Sequence, residues 1–284
     1  MVLVGTIILG LLIQGCFAGP RLTSQSKTPL LSRPPHNAIT FWGHSTCYID
    51  VDGVGIVTDP VLVKSYSPWH RRKVPAPLPS AYADASFVLI SHGHRDHLNP
   101  KTLSWFPKTA TVLCAEPSAK TIEKLGLRVQ VMKPGDSCTF RGGSIVAVPA
   151  HHPGGRNSLK ARADGRALGF IIRTPGETLY YSGDTEYFSG LNDIGETYHP
   201  GIAILNVNGH LKADNAVRAF RALGAPRVIA IHFGAYGGPT AKRNRRLHDQ
   251  LLEMLGPICV PLEVGESYPL SIRVPDRAPH SVSP

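Results

Sequence analysis

The chain has 284 residues, of which 42% are hydrophobic and 18% charged, and its 30 Lys and Arg outnumber 20 Asp and Glu for a formal net charge of +10. That length suits one large domain or two small ones, and the balance of apolar and charged residues is ordinary for a globular protein, while no period of about 20 to 50 residues marks a repeat array. A positive surface favours anionic partners without choosing among phosphates, acidic lipid and nucleic acid.

Val2 to Ile13 is almost wholly apolar and ends at Gln14-Gly15-Cys16. A bilayer span needs about 20 residues, so this run is short for one and has the length of a signal-peptide core. Ile13-Gln14-Gly15-Cys16 resembles a bacterial lipobox, although no Lys or Arg precedes the apolar core. Residues 1–16 are therefore expected to be a signal peptide with a lipobox, or a membrane anchor. Lipidation of Cys16 would place the protein in the cell envelope, against a membrane surface. Residues 17–37, rich in Pro, Ser, Thr and basic side chains, read as a flexible tether. Residues 38–275 read as the folded domain and 276–284 as a loose tail. Cys47, Cys114, Cys138 and Cys259 form no CxxC pair, and buried free thiols are favoured over two disulfides.

The domain opens with β-rich runs at Ala38–Trp42, Cys47–Val51 and Val54–Thr58, with Asp52-Gly53 as a hairpin turn and Asp59-Pro60 as a stop. From Ser65 to Ala83 a Pro-rich and basic stretch containing Tyr66, Trp69, His70, Arg71, Arg72 and Lys73 reads as an irregular loop that could face an anionic group. The apolar run Phe87–Ile90 ends abruptly in Ser91-His92-Gly93-His94-Arg95-Asp96-His97. In extended chain, His92 and His94 point to one side, and Asp96 and His97 turn toward a second position. Further strands are expected at Thr111–Cys114, Val129–Met132, Cys138–Phe140, Ser144–Val148, Gly169–Arg173, Thr178–Ser182, Ile202–Val207 and Val228–Ile231. Helices are expected at Lys101–Trp105, Ser118–Leu125, Asp214–Leu223 and roughly Lys242–Leu255. One event repeats along this chain: an apolar strand stops at a histidine or an aspartate, as at His92, His151-His152, Asp184 and His232. Polar imidazoles beside strands this apolar need partners once buried, and ligands at strand ends along one sheet edge converge on a cleft.

The order HxHxDH resembles the signature of the metallo-β-lactamase superfamily, the di-metal hydrolases, and the likeness runs from Phe41 to about Ser267. It implies a single-domain α/β fold, the four-layer αββα metallo-β-lactamase sandwich. His92, His94 and His152 would bind one metal, and Asp96, His97 and His232 a second, with Asp184 bridging. His152 is preferred to His151 because Pro149-Ala150-His151-His152 is similar to the family's Pro-x-x-His pattern. Nitrogen-rich ligation with carboxylates suits two Zn2+, with Mn or Fe as other occupants. Metals about 3.5 to 4 Å apart would share a hydroxide as nucleophile, and Asp96 and Asp184 are the expected catalytic carboxylates. His44 and Asp59 could hold ligand imidazoles, His44 could reach substrate, and His210, Tyr187 and Tyr236 could face the cleft.

Phe41-Trp42-Gly43-His44-Ser45-Thr46, Thr58-Asp59-Pro60, Ser182-Gly183-Asp184-Thr185 and Ala230-Ile231-His232-Phe233-Gly234 look like the branch containing N-acyl phosphatidylethanolamine phospholipase D and its bacterial relatives. That likeness implies a phosphodiesterase acting on a phospholipid or another anionic small molecule, with no nucleic acid as partner. A sugar-lactone hydrolase of the same superfamily is the alternative, and a non-catalytic envelope binding protein is the alternative from another class. RNA-processing relatives carry an inserted domain for which the stretch from Asp184 to His232 has no room. Redox di-iron members have an acidic residue where this chain keeps His94, and antibiotic-degrading members have Cys where Asp184 stands.

Overall fold

The computed structural model describes residues 33–152 and 167–272; the expected leader with Cys16 and the terminal tail lie outside the described residues. In chain order the first half comprises β1 (Ala38–Gly43), β2 (Thr46–Val51), β3 (Val54–Thr58), β4 (Ser65–Ser67), β5 (His70–Arg71), β6 (Ala85–Ile90), α1 (Pro100–Leu103), β7 (Thr111–Cys114), α2 (Glu116–Glu123) and β8 (Arg128–Val131). The second half comprises β9 (Ser137–Phe140), β10 (Gly143–Pro149), β11 (Leu168–Arg173), β12 (Thr178–Tyr181), α3 (Gly190–Tyr198), β13 (Ile202–Asn206), α4 (Ala213–Leu223), β14 (Arg227–Ile231), α5 (Pro239–Leu255), β15 (Cys259–Val260) and β16 (Ser267–Pro269).

Two seven-stranded sheets result, ordered β16-β1-β2-β3-β6-β7-β8 and β15-β14-β13-β12-β11-β10-β9. Each begins as an antiparallel meander and continues in parallel, from β3 through β8 in one and from β12 through β15 in the other. Asp52 and Gly53 close the β2–β3 hairpin with φ of 49° and 81°, the left-handed pair that a tight two-residue turn requires.

The inner faces of the sheets meet in a core containing Ile39, Phe41, Ile49 and Leu89 from one and Ile145, Phe170, Ile204 and Ile229 from the other. Outside the first sheet, Trp42, Tyr48 and Val88 cluster with Leu103 of α1 and Ile122 of α2. Outside the second, Tyr180 and Leu205 cluster with Leu191 of α3, Ala216 and Phe220 of α4 and Leu251 of α5. The order of layers is α, β, β, α in a single domain, as expected. On α4 the buried Ala216, Val217, Ala219, Phe220 and Leu223 recur at helical spacing, and Gly224 stops the helix at a left-handed φ of 62°.

The structure departs from the sequence reading at two places. The stretch after Ser65 is not irregular throughout, since β4 and β5 pair as a short hairpin. The helix α3 is an addition to that reading; its two glycines weaken the propensity signal, but Gly195 lies where a Cβ would come within 2.6 Å of the Ala222 carbonyl oxygen, so close packing on α4 requires its absence. The four described cysteines are free thiols, the alternative the sequence favours, with Cys47, Cys114 and Cys259 buried and Cys138 half-buried.

Parallel strands within one sheet end along one edge. In the first sheet that edge carries Asp59 after β3 and Ser91-His92 after β6, and in the second it carries Gly183-Asp184 after β12, Asn206 at the end of β13 and His232 after β14.

Candidate metal centre

Beyond Ile90 the chain leaves the extended conformation: the N–H groups of His97 and Leu98 both donate to the His94 carbonyl, at 3.0 and 2.7 Å. A tight turn, not strand alternation, therefore brings the His92 and His94 rings to 4.6 Å between centroids. His152, arriving after β10, completes the first group. Its Nε2 lies 2.9 Å from His94 Nδ1, and His92 Nε2 lies 2.9 Å from the same atom. One proton can satisfy only one of these two contacts, so a nitrogen lone pair is left facing another. A cation placed among the three nitrogens removes that conflict, and the donor set suits a divalent metal.

The second group draws on both sheets. His97 Nε2 is 3.3 Å from Asp184 Oδ2 and 3.3 Å from His232 Nε2, while His232 Nε2 is 3.2 Å from Asp184 Oδ1. His44 Nε2 lies 3.3 Å from Asp96 Oδ2. His44, Asp96, His97 and His232 each offer a ligand atom within 4.8 Å of the others, as do His92, His94 and His152.

Asp59 organises both groups from beneath. Fully buried, it accepts hydrogen bonds from Ser91 N (2.7 Å), Ser91 Oγ (2.5 Å), His97 Nδ1 (2.7 Å) and Tyr181 OH (2.5 Å). With its hydroxyl proton committed to Asp59, Ser91 Oγ accepts from His92 Nδ1 at 2.9 Å. The protons on His92 Nδ1 and His97 Nδ1 are thereby pinned to one carboxylate network, and both Nε2 atoms are left to face the cleft. Asn206 Nδ2 donates to Asp184 Oδ1 at 3.0 Å, and Asn244 Nδ2, on α5, reaches His232 O and Nδ1 at 3.0 Å each.

Burial first, and then the charge of His232, push the His44 imidazole down to about 4. Burial likewise brings His152 to about 4, and burial with the nearby His97 charge holds His92 well below the ordinary imidazole value. His97 moves the other way. Burial opposes its charge, but Asp184 and Asp59 on its two sides raise it well above that value. Burial would raise Asp184, yet His232 and His97 hold it well below the usual carboxylate range, and Asp96 is held low in the same way by His44 and His97.

All seven sequence-predicted ligand residues, His92, His94, Asp96, His97, His152, Asp184 and His232, line this cleft. Asp184 touches the second group directly and reaches the first through its charge. His151 turns away and stacks on Phe188 at 4.0 Å. His210 stands edge-on to His152 at 4.7 Å. Tyr236 does not swing free over the cleft, because its hydroxyl donates to the Val61 and Val63 carbonyls, and Tyr187 lies under Arg218. Sequence reasoning misses Asn206, Asn244, Ser91 and Tyr181. Of these, Asn206 carries a signal, as a fully buried amide ending an apolar strand.

A family model described as a beta-lactamase superfamily domain matches residues 55–233. A UPF0173 metal-dependent hydrolase of Methanosphaerula palustris is 35% identical over 157 residues, covering 54% of this chain and 70% of its own. Another, from Exiguobacterium sp., is 30% identical over 201 residues, 70% of this chain and 86% of its own. Among solved structures, a possible metal-dependent hydrolase from Veillonella parvula superposes with a TM-score of 0.68 at 19% identity, covering 83% of this chain and all (100%) of that one. An isothiocyanate hydrolase from Delia radicum gut bacteria gives 0.65 at 20% identity, covering 81% and 98%.

Proposed function

Because the chain belongs to the beta-lactamase superfamily and is a metal-dependent hydrolase, we propose that it is a di-metal phosphodiesterase, with His92, His94 and His152 holding one cation and Asp96, His97, His232 and Asp184 the other. The observation that carries the reading is the meeting of three imidazole nitrogens around His94 Nδ1 beside a second group of imidazoles and carboxylates. Zinc is the proposed metal in both positions, on the nitrogen-rich donor set. When bound, such cations supply Lewis acidity and make a water at the site acidic near neutral pH.

The chain's own residues supply the rest. Asp59 and Ser91 fix the imidazole tautomers. Asp96, kept ionised by His44 and His97 and partly open to solvent, is placed to accept a hydrogen bond from the attacking water and so orient it. Asn206 keeps the Asp184 carboxylate from rotating. The formal charge of +10 and the exposed Arg71 and Lys73 support an anionic diester as substrate, a phospholipid headgroup among them, delivered at a membrane surface through Cys16.

The test is hydrolysis by metal-quantified protein on bis(p-nitrophenyl) phosphate, a phospholipid panel and a lactone panel in parallel. Diester cleavage that chelation abolishes and zinc restores is the expected result. Opening of lactones alone would move the assignment away from phosphodiesters.

A further inference from the structure

A narrow pocket bordered by His44, Tyr66, His70 and His232 shares three wall residues, Gly234, Tyr236 and Ala241, with an open cavity of about 680 Å³. Four cations line that larger cavity, Lys73, Lys242, Arg245 and Arg246, and no carboxylate does. Arg245 is committed to Glu263 through two hydrogen bonds of 2.5 and 2.7 Å. Lys73, Lys242 and Arg246 form no ion pair among the described residues.

Lys242 and Arg246 stand four residues apart on α5, where like charges repel. Lys73 comes from another segment, held by its N–H on the Ala235 carbonyl at 2.8 Å, and its stem crosses Gly237, where a Cβ would lie 2.6 Å from Cε. At the inner edge stands His70. Its Nδ1 is paired with Ser67 Oγ at 2.7 Å, but its Nε2 is buried without a partner, at the backbone of Gly238 that lines the cavity. Three cations that converge on one hollow from two segments, with no carboxylate among its lining residues, point to an anion that belongs there.

We propose that this cavity is an anion subsite in which Lys73, Lys242 and Arg246 hold a phosphate or carboxylate group of the substrate separate from the bond that is cut, the cavity lying beside the narrow pocket of about 10 Å³ that His44 and His232 border. The substrate is then a molecule with two anionic positions, a hydrolysable ester at one end and a free anion at the other. Its assignment as a substrate subsite rests on the phosphodiesterase reading; its assignment as an anion site does not.

The experiment uses the full chain and two probes. Inorganic phosphate is titrated calorimetrically into chelator-treated protein, wild type against a Lys242→Ala, Arg246→Ala double variant and against Lys73→Ala, with Arg141→Ala as a remote control. Loss of charged hydrogen-bond donors should weaken phosphate binding about tenfold or more in the first two, with the control unmoved. Equal binding in all four would overturn the anion site. For the metal-loaded enzyme, thymidine 5′-(p-nitrophenyl phosphate) is compared with the same diester bearing a 3′-phosphate. The added phosphate should lower KM about tenfold in wild type and give no advantage in the double variant, with kcat little changed. Phosphate binding that depends on the cations without any KM advantage would refute the substrate role, leaving an adventitious ion. Should no diester be hydrolysed at all, the phosphoesterase reading fails and the calorimetry alone decides the anion site.

Discussion

Replacing Asp59 by asparagine removes one acceptor from beneath both ligand groups while keeping the volume. In wild type one carboxylate oxygen accepts from Ser91 N and the other from Ser91 Oγ, His97 Nδ1 and Tyr181 OH. The introduced amide has one oxygen and one NH2. If the oxygen faces the backbone, the NH2 meets the His97 Nδ1–H, and His97 escapes only by moving its proton to Nε2, the atom facing Asp184 and His232. Ser91 Oγ then accepts from the amide and donates to His92 Nδ1, which transfers that proton to Nε2 as well. If the amide is flipped, the buried Ser91 N–H is stranded. The first orientation takes the Asp59 acceptor from the Tyr181 hydroxyl and the second takes it from the Ser91 N–H, a loss of about 1–3 kcal/mol in stability, which the fold survives. The effect on the site is larger, because two imidazoles now present N–H where a lone pair is required, and perturbed support beneath a metal ligand weakens affinity by about 10- to 100-fold. Metal content after dialysis against a graded chelator, read by mass spectrometry beside thermal unfolding, measures both. An Asp59→Asn variant that is folded, holds two metals as tightly as wild type and turns over normally would refute the tautomer argument.

Asp184→Ala and His94→Ala each remove a group on which others converge, so both should abolish hydrolysis while circular dichroism stays native; full activity in either defeats the two-metal mechanism. Gly183 has a φ of +52°, and an added Cβ would sit 2.6 Å from Ser91 Cβ. Gly183→Ala should therefore displace Ser91 from Asp59 and lower stability by about 1–3 kcal/mol together with metal affinity, and a variant with an unchanged melting point and metal content would show that the loops yield freely. In metal-free protein, His44 and His152 stay neutral down to about 4, whereas the unfolded chain takes up protons near 6.5, so stability falls as pH drops across that interval. The loss is about 3 kcal/mol per ring at most. His97, raised by its two carboxylates, is protonated in both states over the same window and does not offset the loss. Urea unfolding of chelated protein at pH 6.5 and pH 4 checks the sign, and equal midpoints contradict it.

The strands are legible in the sequence because their signal is local. Runs such as Phe87-Val88-Leu89-Ile90 carry β-branched and aromatic residues, and each stops at a residue type that does not belong in a core. The ligand residues are legible for the same reason, as histidines and aspartates placed where a buried apolar strand stops. The second tier of the site is not. Tyr181 meets Asp59 across 122 positions of sequence, and Asn206 and Asn244 are residue types with many ordinary uses. The β4–β5 hairpin is hidden likewise, because its neighbour Arg72 is anchored by distant contacts, with Nη2 on the Trp42 carbonyl and the guanidinium over Tyr236.

His44 is ambiguous in sequence because its placement comes from backbone, not from side-chain type. Six described non-glycine residues have positive φ, and His44 (59°), Asp59 (34°) and His232 (84°) all belong to this site. Each such residue costs about 1–3 kcal/mol unless its surroundings hold it there. Here the His44 N–H donates to the Phe233 carbonyl and the His232 N–H to the His44 carbonyl, both at 2.7 Å, so the loop after β1 and the loop after β14 lock each other. Asp59 is held by its own N–H on the Leu89 carbonyl at 2.8 Å and by the donors it accepts. The strained residues are thus fixed by contacts between segments that come together only when both sheets have formed. Site geometry and the closure of the sandwich are one event, which is why a ligand pattern readable from local sequence becomes a cleft only through hydrogen bonds that local sequence does not encode.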